Sequence, residues 1–218
     1  MARRQDNRIM INLYNADCLE AMRLMEDNQY DLAIVDPPYG INVNVSMGRR
    51  KGDKKSDYHK FVGGDKCSPP IEYFNELLRI SKNQIVWGAN HFISKIPFNS
   101  PCWIMWDKGF SEDVTFAQFE LAWTSFKTTC KKFDKSPLNP NRIHPTQKPI
   151  PLYKWILQTY AEKGWSIVDT HFGGLSIGIA CHDMGFDLDA WELDKDYFQA
   201  GKHRLEQHQL QQQFNFKD

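Results

Sequence analysis

Asp36-Pro37-Pro38-Tyr39-Gly40 constrains this chain more tightly than any other stretch. It follows Leu32-Ala33-Ile34-Val35, a short, branched, apolar run bounded by prolines, which predicts a buried parallel strand. Asp36 then stands at the carboxyl end of that strand, the edge where open α/β sheets bind ligands. Two consecutive prolines fix φ and remove two backbone donors. The result is rigid backbone with outward carbonyls, an acid before it and an aromatic ring after it. A carboxylate and a proline carbonyl can accept the two hydrogens of an amine, and Tyr39 can stack on the plane that carries it. A plain strand-to-loop turn explains the acid poorly, because a carboxylate buried there needs a partner.

Asp36, Pro37, Pro38 and Tyr39 resemble the catalytic motif of the amino-group DNA methyltransferases, which use S-adenosylmethionine to methylate adenine N6 or cytosine N4. The motif is short, so the remainder of the chain has to support it. At 218 residues the chain predicts one domain, residues 1–218, with a large core. Net charge is zero, so nucleic-acid binding has to come from local patches. The five cysteines are dispersed, with no C-x-x-C pair, which predicts reduced thiols in a cytoplasmic protein and no zinc site. Residues 1–8 are polar, with no apolar signal segment, and no apolar run approaches the ~20 residues that cross a membrane.

Ile9–Tyr14 reads as a strand, followed by Asp17-Cys18 and an amphipathic helix carrying Leu19, Met22, Leu24 and Met25. Asp17 suits a helix N-cap. By resemblance it also contacts the cofactor, with Cys18 beside it. Pro69–Ser81 predicts a helix and Gln84–Gly88 the next parallel strand. Two Trp-rich strands follow at Pro101–Trp106 and Phe119–Trp123, read as core.

His144-Pro145-Thr146-Gln147-Lys148-Pro149 is a second signature, ahead of a helical pattern at Leu152, Trp155, Ile156 and Tyr160. A proline-bracketed turn presenting Thr146 and Lys148 at a helix start suits a carboxylate. It resembles the family's motif at the methionine end of the cofactor. Ser166–Asp169 then reads as the first strand of a nucleotide-binding unit, turning through Thr170-His171-Phe172-Gly173-Gly174-Leu175-Ser176 into a small-residue helix. Asp187–Glu192 is its second strand, ending in an acid 23 residues after Asp169. The glycines let a ligand approach the backbone, and the distal acid can take ribose hydroxyls. The turn resembles the family's Asp-Pro-Phe-x-Gly-Ser-Gly motif with departures: Thr170 for Pro, His171 for Phe, Gly174 for Ser and Leu175 for the last Gly. Either His171 or Phe172 could pack on the cofactor. The implied cofactor contacts are Asp17, Cys18, Asp36, His144, Thr146, Lys148, Asp169, His171, Gly173, Gly174, Ser176 and Glu192.

Two polar intervals carry local basic excess. Residues 42–68 are read as a mobile basic loop, with Arg49, Arg50 and Lys51 facing DNA or solvent. Residues 126–143 are read as irregular, with Lys127, Lys131, Lys132, Lys135 and Arg142 opposed only by Asp134 and with Phe126 and Phe133 interleaved. Basic residues with aromatics suit phosphate and base contacts. In the resembling family this interval holds target recognition.

The order of the segments resembles the permuted β-group arrangement. The implied fold is a Rossmann-like α/β sheet of about seven mainly parallel strands, one antiparallel, with helices on both faces. The implied reaction is transfer of a methyl group from S-adenosyl-L-methionine to the N6 of a flipped adenine in DNA, with cytosine N4, RNA or a non-catalytic binding protein as alternatives. An Asp at the first motif position leans to adenine, since Ser is commoner in the cytosine-N4 enzymes. No cysteine has the Pro-Cys context of cytosine-C5 chemistry. The resemblance allows a homodimer and leaves a restriction endonuclease partner undetermined.

Overall fold

The computed structural model describes residues 9–42, 65–110, 117–137 and 141–215. Among these, eight strands form one sheet: β1 (Ile11–Tyr14), β2 (Tyr30–Val35), β3 (Ser81–Trp87), β4 (Trp103–Asp107), β5 (Phe119–Thr124), β6 (Lys131–Asp134), β7 (Ser166–Asp169) and β8 (Asp187–Trp191). Their spatial order is β1-β8-β7-β2-β3-β5-β4-β6. Only β5 runs against its neighbours β3 and β4. Five α-helices flank the sheet: α1 (Cys18–Met22), α2 (Ile71–Ile80), α3 (Ile150–Tyr160), α4 (Ser176–Met184) and α5 (Lys195–Asn215). No helix among the described residues is long and apolar enough to cross a membrane.

The apolar run before Asp36 forms β2 because both of its faces are covered. Leu32 and Ile34 pack with Leu152 and Ile156 of α3 and Ile177 of α4. Ala33 and Val35 pack on the opposite face with Met22 of α1 and with Tyr73, Phe74, Leu77 and Ile80 of α2. Alternation that is apolar on both faces is what a parallel strand between two helix layers requires. Each buried side chain of α2 contributes roughly 1.5–3 kcal/mol. α5 is fastened to α4 and α3 through Asp183, which accepts from His208 and Gln212 of α5 and pairs with Lys154 of α3.

Strand order fixes where a site can lie. From β2 the chain crosses through α2 to β3 on one side; from β7 it crosses through α4 to β8 on the other. β2 and β7 are neighbours, so a crevice opens between their carboxyl ends, at Asp36 and Asp169. The reversal of β5 matters too, because it brings the start of that strand, with Glu120, to the same edge.

One expectation is corrected. Residues 126–143 are not irregular throughout, since Lys131–Asp134 forms β6, paired in parallel with β4 at the sheet edge. Its aromatics are half-buried against the core. Phe126 lies 4.9 Å from Tyr160 and Phe133 lies 5.3 Å from Trp155, measured between ring centroids. Period-2 alternation over four residues is easily missed when every second residue is a lysine or aspartate.

Gly88 follows β3 at φ +69°, and a Cβ there would lie 2.0 Å from Tyr39 Cε1. Gly88→Ala therefore combines a left-handed backbone with a direct overlap. We expect it to lower stability by about 2–5 kcal/mol, read by urea unfolding. A loss below about 0.5 kcal/mol would mean that Tyr39 does not sit against this residue.

Candidate active site

Asp36 is held from both sides. Its Oδ1 accepts the Tyr39 hydroxyl at 2.7 Å, and its Oδ2 meets Lys148 Nζ at 2.5 Å. Lys148 also reaches Glu120 Oε2 at 3.0 Å, and Lys108 Nζ lies 2.7 Å from Glu120 Oε1. The Lys148 side chain is only 2% exposed. Burial alone would lower its pKa, but Asp36 and Glu120 outweigh burial and raise it. Burial would likewise raise Glu120, yet Lys148 and Lys108 bring it down to about 2. At Asp36 the balance goes the other way: burial, aided by the charge of Glu120, raises the carboxyl despite Lys148.

Tyr39, expected to stack on a target base, lies against His91, with centroids 5.3 Å apart and planes at 17°. Its hydroxyl is also within 3.3 Å of Glu120 Oε2. The backbone leaves this place at Gly40, whose N–H donates to Asp65 Oδ1, and Asn42 N–H donates to the Asp65 carbonyl. Both ends of the first basic interval therefore close beside the site. Arg49, Arg50 and Lys51 lie outside the described residues.

The two other signatures pack on each other. A Cβ on Gly173 would lie 3.4 Å from the His144 ring, and one on Gly174 would lie 2.5 Å from Gln147 Oε1. The glycines are needed because the His144–Pro149 turn lies directly on them. His144 also packs edge-on against Tyr197 of α5, 4.3 Å away. Thr146 is exposed, with its hydroxyl 3.2 Å from His144 Nδ1. Lys148, expected at the helix start for a carboxylate, has its ammonium committed to Asp36 and Glu120 instead. Ser176 is buried, 3.1 Å from Arg204 Nη1, and the same guanidinium binds the Gly174 carbonyl.

Between the two rings at the turn, the structure distinguishes clearly. Phe172 is buried against Phe198 of α5. His171 faces the carboxyl edge, with Nδ1 2.9 Å from Thr170 Oγ1 and Nε2 3.8 Å from Cys18 Sγ. Burial lowers His171 to about 4, so the imidazole is neutral at pH 7. Burial pushes the Cys18 thiol up to about 12. Asp17 caps α1, its Oδ1 accepting from the N–H groups of Leu19 and Glu20.

Two acids flank the Gly turn. Glu192 accepts from Gly173 N–H at 3.0 Å and from Asp194 N–H at 2.9 Å, and burial raises its carboxyl. Asp169 accepts the His171 N–H at 3.0 Å, and burial, with Asp36 and Glu192 adding to it, raises it to about 8. Asp36, Asp169 and Glu192 thus end strands β2, β7 and β8 side by side. Acids raised chiefly by burial, beside a Gly turn, fit a ligand that brings positive charge and hydroxyl groups.

The second basic interval is partly neutralised. Lys132 pairs with Asp107 at 2.9 Å and Asp134 at 2.7 Å, while Lys127 and Lys135 are exposed. Lys131 and Arg142 are half-buried. Sequence reading missed Glu120, Lys108 and His91. A glutamate inside the apolar run Phe119–Trp123 was the available signal, since a charge in a core strand needs a partner.

No protein-family model matches the chain. The "Putative methylase YubD" of Escherichia coli (strain K12) is 22% identical over 218 residues, covering 90% of each chain. Among solved structures, the complex of M1.HpyAVI with S-adenosylmethionine superposes with a TM-score of 0.60 at 19% identity, over 90% of this chain and 99% of that one. The cytosine-N4-specific PvuII DNA methyltransferase superposes with a TM-score of 0.62 at 12% identity, over 89% of this chain and 86% of that one. The chain shares the fold of these solved structures, a mainly parallel α/β sheet with one antiparallel strand as expected, built here of eight strands among the described residues where about seven were expected.

Asp169 gives a pH prediction. Unfolded, its carboxyl titrates near the usual 3.8; folded, it holds its proton to about 8. A raised carboxyl contributes stability that is complete below the lower value and is lost as pH climbs to the upper one. Asp169→Asn keeps the shape and removes the titration. In the ligand-free protein its stability should gain on the wild type between about pH 5 and 8.5, by a few kcal/mol, read by urea unfolding across that range. A gap that is constant across the range would show the carboxyl already ionised at its acid end.

Proposed function

We propose that this protein is an S-adenosylmethionine-dependent DNA amino-methyltransferase that acts on the N6 of adenine in a base turned out of the duplex. The observation that carries the reading is Asp36: a carboxylate at the β2 end of the switch point, followed by rigid prolines, next to two further acids, the buried Asp169 and the half-buried Glu192. When bound, S-adenosylmethionine supplies an electrophilic methyl group on a sulfonium. Glu192 and the Gly173–Gly174 backbone are the groups for its ribose, with His171, Cys18 and Asp17 along the same edge. Asp169 and Asp36 compensate its positive charge. Asp36 and the Pro37 carbonyl accept the two amine hydrogens, which turns the nitrogen lone pair towards the methyl group. Transfer would form the N–C bond and break the S–C bond, and Asp36, its pKa raised by burial, would take the proton that the amine loses. The gain is positioning and electrostatics, with no covalent intermediate.

A second reading, cytosine N4, is favoured by the likeness to the PvuII enzyme. Labelled methyl groups transferred to DNA, followed by nucleoside separation, distinguish the two. Label in RNA, or in neither nucleic acid, would overturn both.

Asp36→Ala should lower kcat by well over tenfold, a tenfold loss being only ~1.4 kcal/mol. Retention of more than a tenth of the wild-type rate would remove Asp36 from the chemistry. Glu192→Ala should weaken S-adenosylmethionine binding by calorimetry more than DNA binding; unchanged affinity would sink the ribose assignment.

For DNA, Lys127 and Lys135 are the exposed, described candidates of the second basic interval, and Lys132 is already paired. Replacing Lys127 and Lys135 with Ala should flatten the slope of log affinity against log salt by up to ~0.9 for each phosphate that is no longer neutralised. Lys132→Ala should change it less. An unaltered slope in the double variant would move DNA binding away from 126–143.

A further inference from the structure

Both donors that occupy Asp36 also reach Glu120. Lys148 Nζ is 2.5 Å from Asp36 Oδ2 and 3.0 Å from Glu120 Oε2. The Tyr39 hydroxyl is 2.7 Å from Asp36 Oδ1 and 3.3 Å from the same Glu120 oxygen. Asp36 cannot serve an incoming amine fully while both of its oxygens are taken. Neither donor can simply let go, because a buried ammonium or hydroxyl without an acceptor is costly. Glu120 is the only other carboxylate within hydrogen-bond reach of either donor among the described residues. Lys108 holds its other oxygen at 2.7 Å, which keeps the carboxylate in place and charged.

We propose that Glu120 is a positioning residue that gives Lys148 and Tyr39 a second acceptor, so that Asp36 is released to the target amine when the base enters. This rests on the methyltransferase reading and deepens it. The seat is on β5, the one reversed strand, so the antiparallel turn of the sheet supplies a group that parallel strands would leave at the far edge. Lys148 already touches both acceptors, so the exchange needs only a small swing of its ammonium. The charges of Lys148, Asp36, Glu120 and Lys108 sum to zero before and after it.

Glu120→Gln tests it, with Glu120→Asp as the conservative partner. The groups facing Asp36 are Lys148 ahead of α3, Glu120 on β5, Asp169 on β7, Tyr73 on α2, Tyr153 on α3 and its own neighbour Tyr39. The negative charge of Glu120 pushes Asp36 upward, so its removal should move Asp36 to lower pH. We expect kcat of Glu120→Gln to fall at least about tenfold with little change in the KM for S-adenosylmethionine, the acid limb of the kcat profile to shift to lower pH, and Glu120→Asp to recover part of the rate. A merely structural residue would leave the acid limb where it is, and that result would overturn the proposal. Carbon-13 titration of the Asp36 carboxyl in the ligand-free wild type and Glu120→Gln reports the same coupling without any substrate. If the wild type methylates no nucleic acid, the functional reading falls, and this titration alone decides: a downward shift supports the shared seat, and an unmoved midpoint overturns it. Circular dichroism identifies a variant that fails to fold; if Glu120→Gln does, Glu120→Ala, which also removes the charge, carries the titration with the same two outcomes.

Discussion

A lysine ammonium with 2% of its side chain exposed has to have anions around it, and much of this molecule is arranged to provide them. Leaving one such charge unpaired costs on the order of 3–5 kcal/mol. Lys148 finds Asp36 from the end of β2 and Glu120 from the start of β5, and it lies over the rings of Trp87 and Tyr39 at 5.1 and 5.7 Å. A single charge therefore binds the Asp36–Tyr39 turn, the reversed strand and the entry to α3 into one unit. The same turn holds the third signature by a different means, because His144 and Gln147 rest on Gly173 and Gly174. Residues 144–149 thus act first as the bridge between the two halves of the edge.

The two halves differ in charge. On the β2–β5 side, Asp36 and Glu120 are matched by Lys148 and Lys108. On the β7–β8 side, Asp169 and Glu192 are held by backbone N–H groups, and among the described residues no ammonium pairs with either carboxylate. Backbone donors do not offset the cost of burying a charge, so in the ligand-free protein Asp169 keeps its proton up to about 8, and a cation brought beside it would favour the ionised form. A sulfonium placed between Asp36 and Asp169 would be such a cation, while the neutral side is suited to an uncharged base amine.

The sequence made the scaffold legible wherever one physical signal dominated. Double-faced apolar runs identified β2, β3 and β7, and proline-led amphipathic patterns identified α2 and α3. What the sequence could not show was partnership across the fold. Lys148 in a Thr-x-Lys-Pro turn at a helix start resembles an anion site, and only the approach of Glu120, 28 residues earlier in the chain and on a strand of opposite direction, changes its role. β6 escaped notice because Lys131–Asp134 alternates half-buried and exposed over just four residues, too short for periodicity to stand out. The tethering of 126–143 to the core through Phe126 and Phe133 likewise depends on Tyr160 and Trp155, which lie beyond that interval.

The departures at the Gly turn are legible only together with their compensations. Leu175 sits where the resembling motif has glycine, and it keeps the left-handed backbone that glycine would take, at φ 52°. For a non-glycine residue that conformation costs roughly 1–2 kcal/mol. Leu175 is nonetheless 1% exposed within the main core, so burial of its side chain offsets the strain. The room for it comes from two other glycines: a Cβ at Gly178 would lie 2.8 Å from Leu175 Cγ, and one at Gly201 would lie 3.2 Å from its Cβ. Thr170 and His171 show the same kind of exchange, since the Tyr73 hydroxyl, Thr170 Oγ1 and His171 Nδ1 form a chain at 2.6 and 2.9 Å. The polar pair therefore arrives with its own acceptors and donors. Leu175 thus holds a left-handed backbone without glycine, and the bulk and polarity of the turn are absorbed by Gly178, Gly201 and Tyr73.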